Sequence, residues 1–176
     1  MKSIHNLYQY TIVVAFIGLG LNSFAYTAGI KVMMEAGLFI KVILASLTIY
    51  FTLRLRDENG GYFSFQEAFR TIFIIGICYG VGEAIFTFVL YNFIDPDLFA
   101  KIQERLIWQL EEVLQNSNSE TQVAYFNQII NLLKKTRFQY EIWLLGIDVL
   151  SKILKYAFYA LFLGRILKKD NPNPLA

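Results

Sequence analysis

From Phe69 to Phe93 the chain runs "FRTIFIIGICYGVGEAIFTFVLYNF", with Arg70 at one end and Glu83 as the only other charge. An apolar run of this length constrains a fold more than any other feature here. At about 1.5 Å per residue a helix of such length crosses about 30 Å of hydrocarbon. Three more segments read the same way: Leu7 to Ala28, Gly37 to Leu53, which carries Lys41 near one end, and Ile142 to Ile166. Composition agrees. The chain is 56% hydrophobic and 16% aromatic, with a mean hydropathy of +0.44, whereas a soluble domain is about half apolar. The first segment is too long for a signal-peptide core, lacks a small-residue cleavage site, and is followed at once by another apolar run, so it is read as a retained helix.

The expectation is therefore all-α: an integral membrane bundle of four transmembrane helices forming a single membrane domain over 1–176, with spans at about 7–28, 37–53, 69–93 and 142–166. Orientation follows the distribution of basic residues. With four spans, both termini and the second loop share one side, which carries Lys2, Arg54, Arg56, Arg70, Arg165, Lys168 and Lys169. The other side carries Lys31, Lys101, Arg105, Lys134, Lys135 and Arg137. The first set sits against span ends, whereas the second is mostly diluted by acidic residues in a long loop, although Lys134 to Arg137 stand just before the fourth span. Both termini are expected on the cytoplasmic side.

The loops carry local signals. Gly60 and Gly61 suit a turn, and Ser64-x-x-Glu67 is a capping box that starts the third helix near Phe65. Residues 95–136 read as an extracytoplasmic amphipathic helical hairpin between spans three and four. Asp95-Pro96-Asp97 suits a helix start. Leu98, Ile102, Leu106, Leu110 and Val113 recur at helical spacing, as do Val123, Phe126, Ile130 and Leu133. Between them, Ser117-x-x-Glu120 and Ser119-x-x-Gln122 are alternative caps. The apolar faces either pack on each other and on the span ends, or dock on a membrane surface or partner.

Each span also carries a stripe of small or polar residues, the kind through which helices associate in lipid. These are Ala15, Gly18, Asn22, Ala25 and Gly29; Lys41, Ala45, Thr48 and Thr52; Gly76, Gly80, Glu83 and Thr87; and Asp148, Lys152, Lys155 and Tyr159. Gly76-x-x-x-Gly80 reads as a close-approach motif. Five charges fall inside the proposed spans: Glu83, Lys152, Asp148, Lys155 and Lys41. A lone charge at mid-bilayer costs at least about 2.5–3.5 kcal/mol. Glu83 and Lys152 each lie about 15 Å from the outer ends of their spans, so they match in depth. Asp148 precedes Lys152 by one helical turn, the favourable order for an ion pair. Three arrangements are open: an ion-pair ladder fixing which faces meet, a water-accessible polar pocket, or snorkelling of separate side chains.

Catalytic and cofactor signatures are absent. There is no nucleophile elbow, zinc-protease helix, phosphate loop or dinucleotide fingerprint. The single His5 and single Cys78 offer no metal-ligand spacing, and Cys78 reads as a buried small hydrophobe. A net charge of +2 advertises no nucleic-acid surface. The expectation is no enzyme, no cofactor, no metal site and no nucleic-acid partner. The expected surroundings are the lipid bilayer and a second copy or another membrane protein. A non-enzymatic scaffold or accessory subunit is the leading functional reading. The alternative is a small ion- or proton-coupled transporter or ligand-binding membrane protein acting as an oligomer.

Three stretches, "GGYFSFQEAFR", "YNFIDPDLF" and "LKKDNPNP", together with the span order, give the chain a resemblance over nearly its whole length. It resembles the small bacterial four-span membrane proteins of domain of unknown function 4199. That resemblance implies a bacterial inner-membrane location. It brings no activity and no functional residue with it.

Overall fold

The computed structural model describes residues 2–115, 120–135 and 140–169. These residues form six α-helices: α1 Lys2–Thr27, α2 Ile30–Glu58, α3 Phe65–Val89, α4 Leu98–Gln115, α5 Glu120–Lys135 and α6 Ile142–Leu167. The architecture is all-α. Among the described residues, three stretches are long and apolar enough to cross a membrane: His5–Thr27, Ile30–Glu58 and Phe65–Ile94. Helix α6 has comparable length, 26 residues, but Asp148, Lys152, Lys155 and Arg165 lie along it. The chain divides into two compact units, one of residues 1–86 with 143–176 and one of residues 87–142.

In the first unit α1 and α2 form a tight pair. The outer loop expected between Ala28 and Gly37 contracts to a turn at Gly29, because the residues from Ile30 onward tolerate helix. Gly29 alone supplies the reversal, with φ 109° and ψ 163°, and its carbonyl accepts the first helical bond from Met33 N–H at 2.9 Å. That backbone region is essentially closed to residues with a Cβ. Gly29→Ala should therefore cost about 1–3 kcal/mol, measurable as a lowered melting temperature in detergent.

The other end of α2 is fastened to α1. Glu58 accepts from Asn6 Nδ2 at 2.7 Å and from the Tyr10 hydroxyl at 2.8 Å. Gly60 and Gly61 take positive φ, 80° and 83°, as a turn there requires. The Ser64–Glu67 capping box forms reciprocally: Glu67 N–H donates to Ser64 Oγ at 3.2 Å and Ser64 N–H to Glu67 Oε2 at 2.8 Å. Phe63 and Lys169 exchange two backbone hydrogen bonds of 2.8 Å, tying the α2–α3 turn to the end of α6.

The core of this unit is thin. Val14, Ala25, Ile40, Leu44, Ile75 and Tyr79 form one buried cluster, and Leu55, Phe63 and Ala68 another. Large apolar side chains point outward all round: Phe16, Phe24, Phe39 and Phe158 are each 69–74% exposed. Such a surface needs an apolar medium or a partner. Cys78 belongs to it. It is exposed rather than buried, since it stands about 200° round the helix from both Gly76 and Gly80, which face inward.

In the second unit α3 gives way to a π-turn, Leu90–Ile94, closed by Asp95 N–H on the Leu90 carbonyl at 2.8 Å. Helix α4 then starts at Leu98, not at Pro96, and the Asp95 carboxylate is paired with Lys101 at 2.8 Å. Tyr140 stacks on Tyr91, and its carbonyl accepts from Asn92 Nδ2 at 3.0 Å. Helices α4 and α5 meet through the Gln103 amide on the Leu133 carbonyl and a 2.9 Å Glu111–Lys134 ion pair. Leu98 and Ile130 of the two apolar faces are buried, while Leu106 and Val113 stay exposed at 38% and 50%. Ser117, Ser119, Arg137 and the Asp170–Pro174 tail, which entered the sequence reading, lie outside the described residues.

Candidate functional site: a polar chain through the first unit

The site starts on α1. Gly18 leaves room for the ring of Tyr79, since a Cβ there would lie 2.4 Å from a Tyr79 ring carbon. With its ring on Gly18, the Tyr79 hydroxyl reaches Asn22, whose amide donates to it at 3.0 Å and to the Gly18 carbonyl at 3.0 Å. One turn further along α3, Glu83 lies on the same face as Tyr79. Glu83 Oε2 in turn accepts from Lys152 Nζ at 2.8 Å, and Lys152 lies 3.3 Å from Asp148 Oδ2 on its own helix. A polar chain, Asn22–Tyr79 and then Glu83–Lys152–Asp148, with Tyr79 and Glu83 one turn apart on α3, therefore joins α1, α3 and α6. Lys152 is its hub, with 12% of its side chain exposed, against 22% for Glu83 and 29% for Asp148.

A second device holds α6 against α3. The ring of Tyr156 lies over Gly76 and Gly80, where added Cβ atoms would stand 2.4 Å and 2.6 Å from ring carbons. The Gly76-x-x-x-Gly80 motif is thus a seat for an aromatic ring. The closer approach of backbones occurs lower, where a Cβ on Gly164 would meet Phe69 N at 3.2 Å. Lys155 Nζ lies 5.4 Å and 5.9 Å from the Tyr156 and Tyr159 ring centres, within cation–π range.

The structure brings three of the five sequence-selected charges together, Glu83, Lys152 and Asp148. Lys41 and Lys155 make no ion pair among the described residues. The polar stripes divide similarly. Gly18, Ala25, Gly76, Gly80, Thr48 and Thr52 are buried, but Lys41, Ala45 and Tyr159 turn outward. Thr48 and Thr52 satisfy their hydroxyls on the carbonyls of Leu44 and Thr48 at 2.8 Å and 2.7 Å, so neither joins the polar chain. Tyr79, its central link, is absent from the sequence-level set. Its only signal is position, four residues before Glu83 and so one turn away on the same face.

Residues 8–169 match the family described as protein of unknown function (DUF4199). The chain belongs to this family. The matched region opens in α1 and closes at Lys169, the residue bridged to Phe63, so every member of the polar chain and the Tyr156 seat lies within the DUF4199 match. No curated protein and no solved structure matches the chain.

Proposed function

We propose that this DUF4199 protein is a non-enzymatic scaffold or accessory subunit of the bacterial inner membrane. In this reading it has four spans, both termini are cytoplasmic, and α4 and α5 form an outer helical hairpin offered to a partner. The mutual satisfaction of Glu83, Lys152 and Asp148 at 2.8 Å and 3.3 Å carries the reading. Opposite charges that complete one another fasten helices together, whereas a ligand site keeps polar capacity in reserve. The same pairing supports α6 as a fourth span, since it offsets the cost of charge in hydrocarbon. The orientation draws on the Phe63–Lys169 bridge. It gathers Arg54, Arg56, Arg70, Arg165, Lys168 and Lys169 at one end of the first unit, as a cytoplasmic border would.

Single cysteines in a Cys78→Ala background test the spans. An impermeant maleimide applied to spheroplasts should label Lys31→Cys and spare Asn59→Cys and Lys168→Cys. Labelling of Lys168→Cys with Asn59→Cys spared would remove α6 from the membrane.

The alternative is a proton- or ion-coupled transporter acting as an oligomer, favoured by the residual exposure of Glu83 and Asp148. Proteoliposomes holding a pH dye separate the two readings. The scaffold should leak protons no faster than empty liposomes. A flux that Glu83→Gln abolishes would overturn the scaffold in favour of transport.

A further inference from the structure

The backbones of α3 and α6 approach closely at Gly164, where an added Cβ would stand 3.2 Å from Phe69 N and 3.3 Å from its Cα. The two helices run antiparallel, since Lys152 meets Glu83, Tyr156 lies over Gly76 and Gly80, and Gly164 meets Phe69. In a right-handed helix the next residue stands about 100° further round. Seen from one end, the two helices of an antiparallel pair wind in opposite senses. The residues that follow two facing positions therefore emerge on the same side of the pair. Here they are Arg70 and Arg165. Both are exposed, and neither makes an ion pair among the described residues. Lys168, three residues after Arg165, shares its side. The carboxylates at this end are engaged elsewhere. Glu67 accepts from Ser64 N–H and Oγ at 2.8 Å, and Glu58 accepts from Asn6 and Tyr10. An apolar track starts beside the two arginines. Leu161 and Phe158, four and seven residues before Arg165, are exposed on its side of α6. Phe73 and Ile77, three and seven residues after Arg70, are partly exposed on α3. Phe158 lies about 10 Å along the axis from Arg165.

We infer that Arg70 and Arg165 hold the phosphate of one anionic phospholipid, whose acyl chains lie along Leu161, Phe158, Phe73 and Ile77. Guanidinium groups match phosphate oxygens with paired donors. The apolar track selects a lipid over a free phosphate, which would leave those side chains uncovered. Net charge selects an anionic headgroup, since a zwitterionic one would bring its own ammonium up against Arg70, Arg165 and Lys168. Bound there, the lipid ties α3 to α6 at a level about 20 Å from the Lys152 hub, which the polar chain does not reach. The inference rests on α6 crossing the membrane, as proposed above.

The test is thermal unfolding of the full chain in a nonionic detergent. Separate samples receive phosphatidylglycerol, phosphatidylcholine or inorganic phosphate. Phosphatidylglycerol should raise Tm by about 5 °C near saturation, and the other two additions should raise it far less. Arg70→Gln and Arg165→Gln should each lose most of that rise, read against each variant's own lipid-free Tm. Arg54→Gln is the control. Arg54 belongs to the same basic border but pairs with Glu58 on its own helix at 3.5 Å, so its substitution should keep the rise. No rise with phosphatidylglycerol, or an equal rise with phosphatidylcholine or inorganic phosphate, would overturn the site. So would a full rise retained when both Arg70 and Arg165 are replaced, or an equal loss in Arg54→Gln. Both arginines are exposed, so their variants fold. Maleimide labelling of Lys168→Cys reports separately on α6: a failed fourth span shows there, whereas a failed lipid site shows only in Tm.

Discussion

Lys152→Met should destabilise the protein by about 3–5 kcal/mol, the cost of stripping a buried charge pair of one partner. The loss exceeds that of Glu83→Gln, because Lys152 is in direct contact with both carboxylates. Removing it strips Glu83 and Asp148 of the cation they share. Removing Glu83 leaves Lys152 still paired with Asp148 at 3.3 Å. Unfolding by SDS titration in mixed micelles measures both. The triple substitution Glu83→Gln, Asp148→Asn, Lys152→Met should recover most of the loss, since a neutral, well-packed replacement can match a buried ion pair. A neutral effect of Lys152→Met alone would show that the polar chain does not hold the helices.

The second large effect concerns the aromatic seat. Gly76→Ala and Gly80→Ala each drive a methyl into the Tyr156 ring, with gaps of 2.4 Å and 2.6 Å before relaxation. Overpacking of that kind costs about 1–3 kcal/mol per site. Gly80 is the more constrained, because Lys152 Cβ also lies 3.3 Å from the added atom, so its substitution should disturb the Glu83–Lys152 contact as well. In a Tyr156→Ala background both substitutions should become nearly neutral, a non-additivity expected of residues in contact. Gly20→Ala and Gly146→Ala are the matched controls. An added Cβ meets nothing within 4 Å at either position, so helix propensity alone should make them neutral or stabilising by up to about 1 kcal/mol. Equal losses at all four glycines would refute the seat.

Much of the fold was legible because lipid-length helices announce themselves by length and composition. Helices α1, α2, α3 and α6 fall where apolar runs were read, and the capping box at Ser64 places the start of α3 at Phe65. The proximity of Glu83 and Lys152 was legible for a different reason: a charge in an apolar run needs a partner at its own depth, and few residues qualify. Other features were hidden by their chemistry. Tyr79 reads as one more aromatic in an oily helix, and only its hydroxyl, placed by Gly18, makes it a link. Gly76 and Gly80 read as a contact between backbones because spacing shows where space exists but not what fills it. Lys41 shares a stripe with Thr48 and Thr52 by periodicity, yet the buried face of α2 runs through Ile40, Leu44, Thr48 and Thr52, in four-residue steps that each drift about 40° round a straight helix. Lys41 and Ala45 therefore fall outside it. The reversal at Gly29 was hidden too, since the residues after it lack any strong helix breaker and loop length has no other mark in the sequence.

The contact between Glu83 and Lys152 joins residues 69 positions apart, and this separation sets a clock for biosynthesis. At ribosomal rates of about 5–20 residues per second, Lys152 follows Glu83 by about 3–14 s. Throughout that interval the nascent α3 holds a carboxylate whose cationic partner has not yet been made. If α3 and α6 cross the membrane as proposed, the insertion machinery or surrounding water shelters Glu83 until α6 arrives. A chain that stalls or is truncated before Lys152 keeps the uncompensated acid in its apolar helix.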